Sequence, residues 1–421
     1  MSPSVRTTGP TTGTTPRAAG GLWPVLLCWV AVALDGFDLV VIGAVIPVLL
    51  ESGDLGFTPA AATTAATIGL VGVGIGAVAI GPLTDRFGRR LSLISCVTLF
   101  SVLTLAIPLA QSVTQFTTLR FLAGLGLGAC LPTALAYMTE HAATGRGGSA
   151  VTRMMTGYHV GAVLTALLAL VLIEPLGWQS MFVVGGLAGL ATVPLLWVKL
   201  PESEAYLTAV GRRANGATAK VRSTDVVKGR YLAVSIGICV ASFMGLLLVY
   251  GLNTWLPTIM GEAGYSINAG VGLLLVLNLG AVIGLLVAGS ISDVRGNKPT
   301  VLLWFGLAAF FLAMLSIKMD STFLVYAAVT LAGIFVFSAQ VLVYAFVGHL
   351  YPPEIRGTAL GMAAGVGRVG AIVGPAIGGA LLTAGIAYPW GFYAFAAAAL
   401  LAVLALSTVP AHLEPDRTVE H

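Results

Sequence analysis

Charge is what this 421-residue chain has least of: 9% of its residues are Asp, Glu, Lys or Arg, against roughly 25% in a soluble domain. So few charges cannot hydrate a surface of this size. That excludes an ordinary water-soluble globule and makes a bilayer the natural solvent. Cysteine is scarce too. Cys28, Cys96, Cys130 and Cys239 all lie inside apolar runs, where they read as small buried hydrophobes and exclude a disulfide framework or a thiolate metal site. Basic residues are never interleaved with aromatics in one patch, so nucleic acid is excluded as a partner despite a formal net charge of +4. The absence of a metal-ligand cluster and of a nucleophile–base pair argues against an enzyme. No ten-residue alternating pattern recurs, which excludes a membrane β-barrel. Residues 1–20 are rich in Thr, Gly and Pro and read as a disordered tail. They do not read as a cleaved signal, because the apolar run behind them is too long and no small-residue cleavage site follows it.

What is present is apolar length. Hydrophobic residues make up 57% of the chain, and a membrane helix needs roughly 20 of them in a row. Twelve runs qualify: 22–50, 58–80, 91–110, 114–139, 154–173, 178–198, 230–258, 266–289, 299–317, 322–350, 357–383 and 386–409. Alternate connections differ sharply in basic residues. Eighteen of the 21 Lys and Arg fall on the side that carries both termini, only Lys318 falls on the other, and Arg120 and Arg368 lie inside runs. Positive charge stays inside, so both termini are expected in the cytoplasm. The longest polar stretch, 200–228, divides the chain into two bundles of six helices, 21–199 and 229–410, with a last tail at 411–421.

The halves repeat. GPLTDRFGRR (Gly81 to Arg90) follows the second run and GSISDVRGNK (Gly289 to Lys298) follows the eighth, at an offset of 208. Arg146-Gly147 corresponds to Arg356-Gly357, and Pro47 to Pro257, at an offset of 210. Duplicated halves mark carriers whose site lies between them. Gly72 and Gly76 in the second run, and Gly124 and Gly128 in the fourth, have the spacing that lets helices approach closely.

Four charges sit where charge is costly, at about 3 kcal/mol each near the bilayer centre. At about 1.5 Å of rise per residue, Asp35 and Asp38 lie roughly 20–24 Å up from the inner side, Arg120 roughly 21 Å and Arg368 roughly 17 Å. Distant stretches of chain therefore bring opposite charges to one level, which points to one polar site. The two aspartates are three residues apart on one helix face. A carboxylate at that depth can carry a proton. Arginine keeps its charge and fits a carboxylate in a forked geometry. Asp35 or Asp38 paired structurally with Arg120 is the plainer reading of the same residues, and it does not exclude proton coupling.

GPLTDRFGRR resembles the loop signature of the major facilitator superfamily, and the likeness extends over nearly the whole chain. The resemblance implies an all-α membrane fold of twelve helices in two pseudo-symmetric bundles that rock about a central cavity, usually as a monomer. It also implies a latch at Asp85, with Arg86 and Arg90 beside it. The second copy is degenerate at Val294 and Asn297, so the latch at Asp293 is expected to be weaker. LDGFDLVVIGAVIP (Leu34 to Pro47) resembles the aromatic acid:proton symporters of that superfamily. So do the stretches from Arg120 to Glu140, Leu246 to Met260 and Gly365 to Pro375.

That closer resemblance implies a bacterial inner-membrane importer of a small aromatic carboxylate, with protons as the coupling ion and no cofactor. Asp35 and Asp38 would couple protons, and Arg120, Glu140, Arg356 and Arg368 would be the other functional charges. Glu140, at the inner end of the fourth run near Arg86, Arg89 and Arg146, reads as a gate partner. Tyr250, Asn253, Gln340 and Tyr344 lie on helices that line the cavity in the family fold, and Trp255 reads as packing. His159 beside Tyr158 is a proton shuttle or, more plainly, structural. A proton-driven drug exporter is the nearest rival, but GPxxGG is missing from the fifth run; GPAIGG occurs instead at Gly374 to Gly379. Sugar, dicarboxylate and shikimate-type carriers remain open, and a membrane sensor would need an appended signalling domain.

Overall fold

The computed structural model describes residues 22–141, 147–203, 206–207, 230–319, 321–351 and 353–411. Twelve long helices account for almost all of them. They are α1 (Leu22–Ser52), α2 (Pro59–Phe87), α3 (Arg89–Ala106), α4 (Val113–His141), α5 (Gly147–Leu176) and α6 (Gln179–Lys199), then α7 (Arg230–Glu262), α8 (Ile267–Arg295), α9 (Asn297–Leu315), α10 (Thr322–Leu350), α11 (Pro353–Thr383) and α12 (Ala387–Ser407). Each of the twelve is long and apolar enough to cross a membrane. Helices are the expected solution, because every backbone N–H and C=O in hydrocarbon must find its partner within the segment.

The helices outrun the apolar windows on the face where α1 begins. α2 continues to Phe87, α8 to Arg295, and α5 starts at Gly147. Hydropathy ends where charge begins, but the hydrogen-bonding ladder does not. The stretch from Gly81 to Arg90, expected as a loop, is therefore mostly helix. Its turn is one residue, Gly88, at φ 88°, a conformation that disfavours any side chain. Gly81 lies within α2 and makes no turn.

The internal repeat is carried into the backbone. Gly296, 208 residues on, makes the same one-residue turn at φ 85°. Thr58 caps α2 by accepting from the Ala61 amide at 3.2 Å, and Ser266 caps α8 by accepting from Ala269 at 3.2 Å. These hydroxyls satisfy orphan donors at helix starts.

Within each half the closest helix pairs meet backbone to backbone. Across α2 and α4, Gly72 faces the carbonyl of Phe121 and Gly128 faces that of Val73. The counterpart in the second half is α7 with α11, where Gly370 and Gly374 face Phe243 and Leu247. Lipid gives apolar side chains no reason to associate, so close packing through small residues does that work. The halves meet through α1 with α7, α2 with α11, and α5 with α8. Gly43 of α1 abuts the backbone of Asn253, and Gly379 of α11 abuts Thr63 of α2. Both contacts lie toward the face that carries the α1–α2 turn.

A Gly128→Val substitution drives a branched side chain into the α2 backbone, so the thermal unfolding midpoint falls by several degrees. Gly306→Ala in α9, where an added methyl meets nothing within 4 Å, raises stability by about 0.5–1 kcal/mol. Thermal melts of the two purified variants check the opposite signs.

Candidate functional site

α1 carries both mid-membrane carboxylates, and the structure gives them different surroundings. Asp38 forms an ion pair with Nη1 of Arg120 from α4. Both partners belong to the first half. Arg120 is 7% exposed, its Nε has no hydrogen-bond partner, and its stem lies over Gly69, whose missing side chain leaves room for it. Asp35 is 5% exposed, and among the described residues no hydrogen bond reaches its carboxylate. It lies within electrostatic range of Arg368 of α11, in the other half.

Asp35, Asp38 and Arg120 line a small cavity with Tyr250 and Thr254 of α7, walled by Ile42, Leu70 and Val73. Tyr250 joins the two halves of the site. Its phenolic oxygen accepts a hydrogen bond from Nη1 of Arg368 at 3.0 Å and receives the Tyr158 hydroxyl of α5 at 3.5 Å. Arg368 is itself half-buried. Asp35 and Tyr250 thus share the cavity, and the Arg368 cation and the Tyr158 phenol join them through the Tyr250 hydroxyl. Such a group has the chemistry to bind an anion and exchange a proton, while the cavity of about 20 Å³ is closed to an organic anion in this conformation.

The other expected ring contacts divide. Gln340 of α10 donates to the Ser242 hydroxyl at 3.3 Å, which in turn donates to the Ala363 carbonyl at 2.8 Å. The Gln340 Oε1 is buried without a partner. Tyr344 sits beside Ser242 and Gln340 within range of Arg368. Asn253 turns away from this group. It is fully buried, its amide donates to the Val249 carbonyl at 2.9 Å, and its Oδ1 accepts from Asn278 of α8 at 2.9 Å. Trp255 is sealed between α7 and α11, donating to the Pro375 carbonyl at 2.7 Å. His159 is buried edge-on to the rings of Tyr158 and Phe337, and its Nδ1 has no partner.

At the face where α1 begins, Arg90 donates to the Trp197 carbonyl at 2.5 Å, while the backbone amides of Arg89 and Arg90 donate to Glu202 Oε1 at 2.9 and 3.1 Å. A carboxylate at a helix N-terminus is well placed. It also ties the start of the central linker to the α2–α3 turn. Arg86 is exposed and stacks on Phe87; Asp293 is exposed at the end of α8. The side chains of Asp85, Glu140 and Arg356, and all of Arg146, lie outside the described residues.

The Major Facilitator Superfamily model matches residues 28–281 and 269–420. The chain belongs to that superfamily. It is 36% identical over 403 residues to a gentisate transporter of Corynebacterium glutamicum, covering 94% of this chain and 89% of that one. It is 34% identical to a gallate transporter of Pseudomonas putida, with 91% of each chain covered. It is 31% identical to a benzoate transport protein of Acinetobacter baylyi, over 91% of this chain and 88% of the relative. These identities place the chain in the aromatic acid transporter family of the superfamily. Among solved structures, a D-xylose–proton symporter superposes with a TM-score of 0.76 at 19% identity, over 92% of this chain and 98% of that one. A bacterial homolog of the lysosomal transporter Spinster gives 0.65 at 16% identity, over 94% and 95%. Both share the fold.

Sequence reasoning did not single out Tyr158 as a site residue, nor Ser242 or Glu202. The signal for Tyr158 was its place between Gly157 and Gly161, the two small residues with which α5 packs on α1.

Asp38→Asn leaves the Arg120 charge buried and unmatched, a loss of about 3–5 kcal/mol. The double variant Asp38→Asn with Arg120→Gln removes both charges and regains most of that stability. Unfolding midpoints of wild type, both single variants and the double variant measure the coupling.

Proposed function

We propose that this chain is an importer of a small aromatic carboxylate of the benzoate, hydroxybenzoate or gentisate class, driven by proton symport and alternating access of its two halves. The observation that carries the reading is the shared guanidinium. Tyr250 lines one cavity with Asp35 of the other half and accepts a hydrogen bond from Arg368 at 3.0 Å, so carboxylate and cation meet at one phenol. An incoming carboxylate competes with Asp35 for that cation. Once substrate takes Arg368, Asp35 loses its counter-charge and a proton takes its place, so cargo and proton load together. Tyr250 and Tyr158 flank the carboxylate, Gln340 and Tyr344 face the ring, and Asn253 shapes the wall behind it. The Asp38–Arg120 pair stays closed within the first half and keeps Asp35 aimed at the chamber.

The Lys and Arg distribution supports a cytoplasmic position for both termini. In that orientation the Gly43–Asn253 and Thr63–Gly379 contacts close the outer side. We assign the bacterial inner membrane, two bundles at 21–199 and 229–410 joined by the linker 200–228, and a monomer as the working unit. Asp85, Arg86, Arg90, Glu140, Arg356 and Asp293 would act at the inner gate, where Glu202 anchors the linker.

Radiolabelled gentisate, gallate, benzoate and 4-hydroxybenzoate, offered to cells lacking their own carriers, test the proposal. At least one accumulates, by about tenfold for one proton and one pH unit, and a protonophore abolishes the gradient. Arg368→Gln weakens substrate binding by about 10–100-fold. Asp35→Asn keeps exchange of labelled for unlabelled substrate but loses accumulation. Uptake that ignores the protonophore, or full accumulation by Asp35→Asn, ends the symport reading.

A further inference from the structure

α2 and α3 diverge from the one-residue turn at Gly88, and the wedge between them is not filled by protein. It forms a groove of about 620 Å³. Its floor is Gly126 and Ala129 of α4, and its walls include Ala79, Leu83, Leu91 and Leu99. Several wall residues are more than 40% exposed, among them Leu83, Phe87, Leu91 and Leu99. The groove lies between two helices long and apolar enough to cross a membrane, where lipid is the expected neighbour. Small residues below and large apolar residues at the rim make a slot deeper than a plain helix surface.

The end of the groove is basic. Arg86 is exposed, its guanidinium lies 5.3 Å from the ring of Phe87 on the groove wall, and no carboxylate among the described residues pairs with it. Neighbouring Arg90 is committed to the Trp197 carbonyl, and the α3 amides are committed to Glu202. Among the described residues of this end, Arg86 is thus the cation left to meet a headgroup. At the position equivalent to Arg86 in the second half stands Val294, so that cation is not repeated there.

We propose that this groove is a binding site for an anionic phospholipid, with one acyl chain in the slot between α2, α3 and α4 and the phosphate at Arg86. An apolar slot ending in a free cation has the charge pattern of such an amphiphile. α2 also meets α11 of the other half, so the bound lipid lies against a helix of the moving boundary.

Native mass spectrometry of the full chain in a neutral detergent tests this, with dioleoylphosphatidylglycerol and dioleoylphosphatidylcholine as probes. Wild type retains the anionic lipid about fivefold more tightly, the preference one surface arginine contributes. Arg86→Gln brings the two lipids level. Ala79→Phe fills the slot and loses both, and Ser95→Leu serves the same purpose should that variant fail to fold. Leu404→Phe, on the exposed face of α12, changes neither. Equal retention of the two lipids by wild type overturns the proposal, as does unchanged retention by the filled variants. A protein dimer that Ala79→Phe dissociates also overturns it, because a second copy then occupies the groove.

Discussion

Two arginines that cannot lose their charge lie deep in this bundle, and the rest of the structure is arranged around balancing them. They are balanced differently. Arg120 has its carboxylate, Asp38, in its own half, so that pair survives any movement of one half against the other. Arg368 has no such carboxylate among the described residues of its own half and takes the Tyr250 phenol as its close partner. Its balance depends on how the halves sit and on what lies between them. One arginine is balanced within its own half, and the other is held at the boundary.

That division needs stiff halves, and the glycine seams supply them. Where α2 meets α4, or α7 meets α11, the contacts run between backbones, and backbones have no rotamers in which to absorb a displacement. The boundary between halves uses the same device more sparingly, at Gly43 and Gly379. Small contacts of this kind close a face without ion pairs, so separating them strips no charge of its partner.

Much of this was legible in the chain itself. Apolar length marked twelve helices, the 208-residue offset marked the repeat, and rise per residue brought four distant charges to one depth. Helix ends were not legible on the basic side, because hydropathy measures side chains and the helix persists for backbone reasons. Which aspartate faces which arginine was also out of reach. Residues three apart share a face but differ in direction by about 60°, enough to send Asp38 to α4 and Asp35 toward α11. Asn253 shows the same limit. Its register with Tyr250 suggested the chamber, yet a neighbouring amide on α8 claimed its side chain. Contacts between helices decide such cases, and no single helix encodes them.

Gly88 and Gly296 join their helices through one residue each. A connection that short has no mechanical slack. A tilt of α2 must reappear in α3 almost undiminished, and a tilt of α8 in α9. Each pair therefore moves as one lever, and α2, whose Leu70 and Val73 wall the small cavity, carries α3 with it.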